Sequence, residues 1–250
     1  MFDNLKWILI LLGTALFTAC FQSATGTDMP SDETVKNQWM KIGDRSVIYG
    51  LRLPPDYDPS GEAVPLIIAL HYGGTPTTDY GKDFLELLIV PGLGQVKGIM
   101  AAPVISKTGS WQYPENVEMV LALTDSLIQK YHVDTSRVVI TGYSLGAIGA
   151  WYFAAFYGKR FSAAIAVSGL PDQNIVNGFK QSNVPLYAIH SADDELFPLN
   201  DLERIIQELK KLDKDVTLKK VEGLSHYDTA DFSGPLQTAV PWLQTRWRGQ

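Results

Sequence analysis

The chain has 250 residues, 46% of them hydrophobic and 19% charged, and carries a net charge of −6 at pH 7. That length supports one large α/β domain or two small ones, and an acidic balance with no basic run excludes a nucleic-acid binder, which needs a concentrated cationic face. A single cysteine excludes an internal disulfide, so the fold must rest on its core.

At the N-terminus, Lys6 precedes an apolar run from Trp7 to Phe17, interrupted only by Gly13 and Thr14. The run is short for a bilayer span and has the length of a secretory hydrophobic region. It ends Phe17-Thr18-Ala19-Cys20, small residues followed by the only cysteine. This arrangement resembles the lipobox of bacterial lipoproteins, in which the cysteine is lipidated and becomes the mature N-terminus; Asp3 departs from the positive leading segment of such signals. The resemblance implies a signal peptide over residues 1–19, lipidation at Cys20, and a place in the bacterial cell envelope on the periplasmic or extracellular side of a membrane. The alternative is a plain signal peptide or a weak membrane anchor. Residues 21–32 are rich in Ser, Thr, Gly and Asp and read as a tether, so residues 20–36 form the lipidated link and residues 37–250 the folded domain.

Residues 37–42 and 46–53 read as two strands joined by a tight turn at Gly43-Asp44. Pro54-Pro55 ends the second, because proline cannot donate to a ladder. Pro65 to His71 is a continuous apolar run, the pattern of a strand buried on both faces, and Tyr72-Gly73-Gly74 closes it. Asp83 to Val90 has helical periodicity, stopped by Pro91-Gly92; Gly98 to Ile105 is another buried strand, and residues 106–113 form a loop with Trp111 and Tyr113. Pro114 to Tyr131 is an amphipathic helix, with Val117, Val120, Leu121, Leu127 and Ile128 on one stripe. Asp134 to Arg137 turns the chain into the apolar run Val138-Val139-Ile140, which passes through Gly142-Tyr143-Ser144-Leu145-Gly146 into a helix over Ala147 to Tyr157. Strands over Ala163–Ser168, Val184–His190 and Val216–Val221 follow, with a helix over Asn200–Leu212 and a closing helix over Ser233–Trp247, kinked at Pro241. This alternation predicts a single doubly wound, mainly parallel sheet with helices on both faces and antiparallel N-terminal strands.

In such a sheet, ligands gather at the carboxyl ends of the strands. The polar residues expected there are His71, Ser144, the Ser191-Ala192-Asp193-Asp194-Glu195 cluster and Ser225-His226. A serine hydroxyl is a poor nucleophile at neutral pH and needs a base; histidine titrates in the right range, and a carboxylate fixes its tautomer. All three types occur in the order Ser, Asp, His. The glycines at 142 and 146 leave no Cβ to collide with strand or helix in a sharp turn at Ser144.

Together these motifs resemble the serine esterases of the α/β-hydrolase superfamily, and within it the phospholipase/carboxylesterase and feruloyl-esterase-like group, from about residue 45 to the C-terminus. Gly142-Tyr143-Ser144-Leu145-Gly146 is similar to the nucleophile elbow, His71-Tyr72-Gly73-Gly74 to the oxyanion loop, His190 to Pro198 to the acid loop, and Gly223-Leu224-Ser225-His226 to the histidine loop. The resemblance implies an α/β-hydrolase fold and a Ser144-His226-Asp194 triad, with Asp193 a turn residue bonding within its own loop and Glu195 solvated. It implies oxyanion donors at Leu145 and at Gly73, or else Tyr72 or Gly74, since Tyr72 replaces the family's usual first glycine. His71 and His190 are expected to brace loops, and His132 to lie at the surface. Trp111, Tyr113, Tyr143, Leu170 and Phe197 are candidate substrate-pocket residues, with core packing an equal reading for the first two. About fifteen residues separate the strands ending at Ser168 and starting at Val184, a loop scale without room for a large lid domain. The expected substrates are therefore small or polymer-borne esters, cleaved through an acyl-enzyme. Cys and His show no ligand spacing, so no metal or cofactor is expected, and no protein partner. The rival readings are a peptidase of prolyl-oligopeptidase-like type and a non-catalytic binding module on the same fold.

Overall fold

Eight strands make one sheet in the computed structural model, which describes residues 34–248. The expected signal segment and Cys20 lie outside the described residues. The strands are β1 (Lys36–Ile42), β2 (Arg45–Arg52), β3 (Val64–Leu70), β4 (Ile99–Pro103), β5 (Val133–Tyr143), β6 (Ala163–Val167), β7 (Leu186–Ser191) and β8 (Val216–Val221). Their spatial order is β1-β2-β4-β3-β5-β6-β7-β8, with β2 antiparallel to both neighbours and every other pair parallel. This is the α/β-hydrolase fold. The chain order reverses between β3 and β5, so the loops leaving their carboxyl ends part and open a crevice there. The loops after those two strands carry His71–Gly74 and Ser144.

The central strands are apolar on both faces because both faces are covered. Leu66, Ile68 and Leu70 of β3 join Val138 and Ile140 of β5 in one layer, while Ile67, Ala69 and Val139 point into the other. The first layer is closed by α3 (Pro114–Lys130), α4 (Leu145–Phe156), α5 (Gln173–Phe179) and α6 (Leu199–Lys210). The second is closed by the helical stretch α1 (Tyr80–Phe84) and α2 (Val90–Leu93), and by α7 (Ser233–Gln237) and α8 (Ala239–Trp247). Each fully buried Leu or Ile here contributes roughly 2 kcal/mol of apolar transfer.

Three local expectations are corrected, and one connection, read only as too short for a lid domain, gains a short helix. Pro91-Gly92 does not stop the first helix: a π-turn over Leu85–Ile89 re-phases the backbone, and Pro91 falls in the first turn of α2, where its missing N–H leaves no gap. Asp134 to Arg137 is not a turn ahead of β5 but an irregular stretch within it, where the pairing with β3 jumps from Val64↔Val133 to Leu66↔Val138. The Asp134 carboxylate supports that stretch by accepting from the Ser136 N–H at 2.9 Å. The connection from β6 to β7 holds the short helix α5, whose Ile175, Val176 and Phe179 are buried in the core. The closing helix breaks at Thr238 rather than bending at Pro241, which lies in the first turn of α8.

Candidate active site

Ser144 follows β5 directly and precedes α4, with φ 54° and ψ −115°. A non-glycine residue held at positive φ costs on the order of 1–3 kcal/mol and persists only where its surroundings fix it. Here they do. A Cβ on Gly142 would lie 2.2 Å from the Gly146 carbonyl oxygen, and one on Gly146 would lie 1.8 Å from that of Leu70 on β3. The Ser144 N–H donates to the Val167 carbonyl at 2.9 Å, tying the turn to β6. Strand and helix thus pack backbone to backbone, and the hydroxyl is left to face the crevice.

Ser144 Oγ lies 2.8 Å from His226 Nε2, and His226 Nδ1 lies 2.9 Å from Asp194 Oδ2. His226 sits on the loop after β8 and Asp194 on the loop after β7. The second Asp194 oxygen accepts from the Leu196 and Phe197 N–H groups at 3.0 and 2.8 Å. Burial would raise the Asp194 pKa, but the bonds from His226 and Phe197 outweigh it and hold the carboxyl below its ordinary value. Asp194 therefore remains an anion beside the ring.

Its neighbours are also engaged, each reaching across to the histidine loop. Asp193 bonds within its own loop through its N–H, which donates to the Ser191 hydroxyl at 3.1 Å, while its Oδ2 accepts from the Gly223 N–H of the opposite loop at 2.6 Å. Glu195 is exposed, as expected, yet it also accepts from the His226 N–H and the Ser225 hydroxyl, both at 2.8 Å. Those bonds, the one from His226 foremost, hold its carboxyl below the ordinary range. Asp228 closes the loop from the other side through the Ser225 N–H at 2.7 Å. His190 is buried, and its Nε2 donates to the Phe197 carbonyl at 2.8 Å. His132 is exposed.

On the opposite wall, His71 is buried and accepts from the Ile105 N–H through Nε2 at 3.1 Å, while its Nδ1 lies 2.7 Å from the Tyr72 carbonyl. Burial drives its pKa down to about 4, so the ring is neutral and braces the loop. The Tyr80 hydroxyl donates to the Gly73 carbonyl at 2.9 Å. Gly74, at φ 140°, passes so close to that hydroxyl that a Cβ would lie 2.6 Å from it.

Two cavities meet at Ser144, sharing Tyr72 and Gly73. The larger, about 710 Å³, is bounded by Leu87, Leu196, His226, Tyr227 and the segment from Asp228 to Asp231. The smaller, about 300 Å³, is bounded by Ile105, Thr108, Gly109, Leu145, Ile148 and Phe197. Of the pocket candidates, Phe197 lines the smaller cavity, packed edge-on against the His226 ring with centroids 5.3 Å apart. Tyr143 touches the larger one but is 1% exposed, and its hydroxyl donates to the His226 carbonyl at 2.7 Å. Trp111, Tyr113 and Leu170 line neither. Trp111 is in the core, its Nε1–H bonded to the His71 carbonyl at 3.0 Å. Tyr113 stands outside, 4.8 Å beneath the Lys107 ammonium, and Leu170 packs on the core of the α4 layer. Sequence reasoning missed Leu87, Leu196, Tyr227 and the role of Glu195; the one available signal was that Leu196, Tyr227 and Glu195 stand within two residues of Asp194 or His226.

Fold and site together define a member of the α/β-hydrolases. The model of the phospholipase/carboxylesterase family matches residues 106–239, more than half of the chain, and the chain belongs to that family. Acetylxylan esterase A of Emericella nidulans is 29% identical over 118 residues, 42% of this chain and 38% of that protein, so the match spans well under half of the relative's length. Among solved structures, a thermostable esterase superposes with a TM-score of 0.69 at 22% identity, over 86% of this chain and 63% of that one. A dipeptidyl aminopeptidase IV homologue from Bacteroides ovatus superposes with a TM-score of 0.68 at 14% identity, over 85% of this chain and 36% of that one. At these identities the superpositions speak to fold alone, and the fold serves both esterases and peptidases.

Proposed function

We propose that the chain is a serine hydrolase of carboxylic esters, with Ser144 as nucleophile, His226 as general base and acid, and Asp194 as the carboxylate that orients it. The observation carrying this reading is the unbroken hydrogen-bonded chain from Ser144 Oγ through the His226 ring to Asp194, ending at an open crevice. As Oγ bonds to the ester carbonyl carbon, its proton passes to His226 Nε2, and negative charge collects on the former carbonyl oxygen. The Leu145 N–H, at the start of α4 and free of an intrahelical partner, is aimed at that oxygen, with the second donor from Gly73. The imidazolium returns its proton to the departing alkoxide. Water then attacks the acyl-serine, His226 accepts its proton, and Ser144 is restored with release of the acid.

The cavities divide the substrate. His226 lines only the larger one, and it must protonate the leaving oxygen, so the alcohol lies there and the acyl group in the smaller cavity. That division suits a short acyl group on a bulky alcohol, including an ester on a polymer. The acetylxylan esterase relative is consistent with this class.

The test is hydrolysis of nitrophenyl acetate beside a peptide nitroanilide. The wild type is expected to cleave the ester, and Ser144→Ala to lower kcat about a million-fold. Ester hydrolysis that survives the substitution, or a wild type that cleaves only the anilide, overturns the reading. We further propose that Cys20 is acylated after removal of residues 1–19 and that the residues between it and Val35, which is buried in the core just before β1, link the membrane to the domain. Stable anchoring requires more than one acyl chain. Mass spectrometry of the mature N-terminus decides it: any start other than an acylated Cys20 refutes the anchor.

A further inference from the structure

His226 differs from the other two members of its hydrogen-bonded chain in how its backbone is held. Ser144 is fixed by the glycine packing of the elbow, and Asp194 by the turn whose N–H groups it accepts. His226 lies in a turn outside any strand or helix, between β8 and a short helical turn that begins at Thr229. Its two backbone polar groups are instead taken by two side chains. The carbonyl accepts from the Tyr143 hydroxyl at 2.7 Å, and the N–H donates to Glu195 Oε2 at 2.8 Å. Tyr143 immediately precedes Ser144, and Glu195 immediately follows Asp194.

We infer that Tyr143 and Glu195 are positioning residues for the proton transfer: they fix the backbone of the base from the elbow side and the acid side, and so set the distance from its ring to Ser144 Oγ. The inference rests on the reading of His226 as the base. Registration follows from adjacency, because whatever moves the nucleophile or the acid moves a clamp on the histidine with it. The chemistry of each clamp suits its place. Tyr143 is held rigidly, 1% exposed, with its ring edge-on to Phe232 at 5.3 Å and to Tyr72 at 6.3 Å. Burial pushes its pKa up to about 12, so it keeps the proton it donates. Glu195 is exposed at the mouth, and its other oxygen takes the Ser225 hydroxyl at 2.8 Å, so one carboxylate fixes two successive residues of the loop. Proton transfer is sensitive to small displacements of the base, whereas Glu195 lines neither cavity and Tyr143→Phe keeps the ring that borders the larger one.

The experiment measures kcat and KM for nitrophenyl acetate, with thermal melting, for wild type, Ser144→Ala, Tyr143→Phe, Glu195→Ala, Glu195→Gln and the Tyr143→Phe/Glu195→Ala pair. Tyr143→Phe and Glu195→Ala are each expected to lower kcat about ten-fold, the scale of one hydrogen bond, with KM within about two-fold of wild type. Glu195→Gln keeps an acceptor for the His226 N–H and recovers most of the loss. The double variant falls short of the product of the singles, because both act on one group. Unchanged kcat in both single variants, or losses confined to KM, overturns the inference while an inactive Ser144→Ala leaves the serine mechanism standing. Activity that survives Ser144→Ala overturns both. A kcat loss that merely follows a lowered melting temperature, with no recovery in Glu195→Gln, also overturns the inference, because it marks a structural role only.

Discussion

The elbow after β5 and the acid–histidine edge after β7 and β8 are built on different physical principles, although they meet within one hydrogen bond. At the elbow, position is set by exclusion: glycines at 142 and 146 bring three backbones to distances no Cβ permits, and Ser144 is driven to positive φ as a result. At the other edge, position is set by attraction. Asp193, Asp194, Glu195 and Asp228 each reach a different group on the loop from Gly223 to His226. The first construction is all-or-none and the second is graded, and substitutions should separate them.

The largest effect is expected at Asp194. Asp194→Asn offers an amide where His226 needs an anion and favours the wrong tautomer, so kcat should drop about 10⁴-fold while the elbow stays intact. Steady-state kinetics and a melting curve check it. A loss under about ten-fold would show that the side-chain edge tolerates failure even at its centre. Next comes Gly146→Ala. Its Cβ would lie 1.8 Å from the Leu70 carbonyl oxygen, so α4 must pull away from β3 and the loss should exceed about 3 kcal/mol. Urea denaturation measures it, and a variant of near wild-type stability would break the argument from exclusion.

The same contrast governs what the sequence disclosed. The elbow was legible because exclusion leaves glycines at fixed offsets from a serine, and a strand before and a helix after can be read from local pattern. The parallel sheet was legible from uninterrupted apolar runs such as Pro65 to His71. The acid–histidine edge was legible only for Asp194 and His226. That Asp193 and Glu195 serve the same loop depends on how β7 and β8 lie side by side, with Ser191 opposite Val221, and no local pattern encodes that pairing. Trp111 and Tyr113 share a loop, yet one is core and the other surface: Trp111 packs against α4 so closely that a Cβ on Gly149 would lie 2.9 Å from it, a contact that no local pattern encodes. The Pro91 helix was misread because a π-turn leaves no trace in residue type.

A smaller effect is expected from His71, which supports the elbow side from within the His71–Gly74 loop. Its folded pKa is about 4 against an ordinary 6.5, so between those values the unfolded chain takes a proton that the native ring refuses. Stability from this group is complete above pH 6.5 and declines as pH falls toward 4, by roughly 2–3 kcal/mol. The lowered pKa of Asp194 acts in the same direction, its contribution lost as pH falls through the folded value. Urea denaturation across that window should show a steeper decline for wild type than for His71→Gln, and equal slopes would show that His71 is not the group responsible.

The smallest effect tests the graded edge at its periphery. Asp193 is exposed and holds only the Gly223 N–H, so Asp193→Ala should cost about 1 kcal/mol, the net worth of one such bond. Gly223, at φ 75°, has open space around it and can shift without collision. The loop should therefore yield slightly and lower kcat by a few-fold, with Asp193→Asn restoring most of it through its amide oxygen. If the edge is graded, losses should rise in order from Asp193→Ala through Glu195→Ala to Asp194→Asn, following how directly each carboxylate reaches the His226 ring. If Asp193→Ala instead equals Asp194→Asn, the three carboxylates act as one cooperative unit. The edge would then be as all-or-none as the elbow, and the contrast between the two constructions would fail.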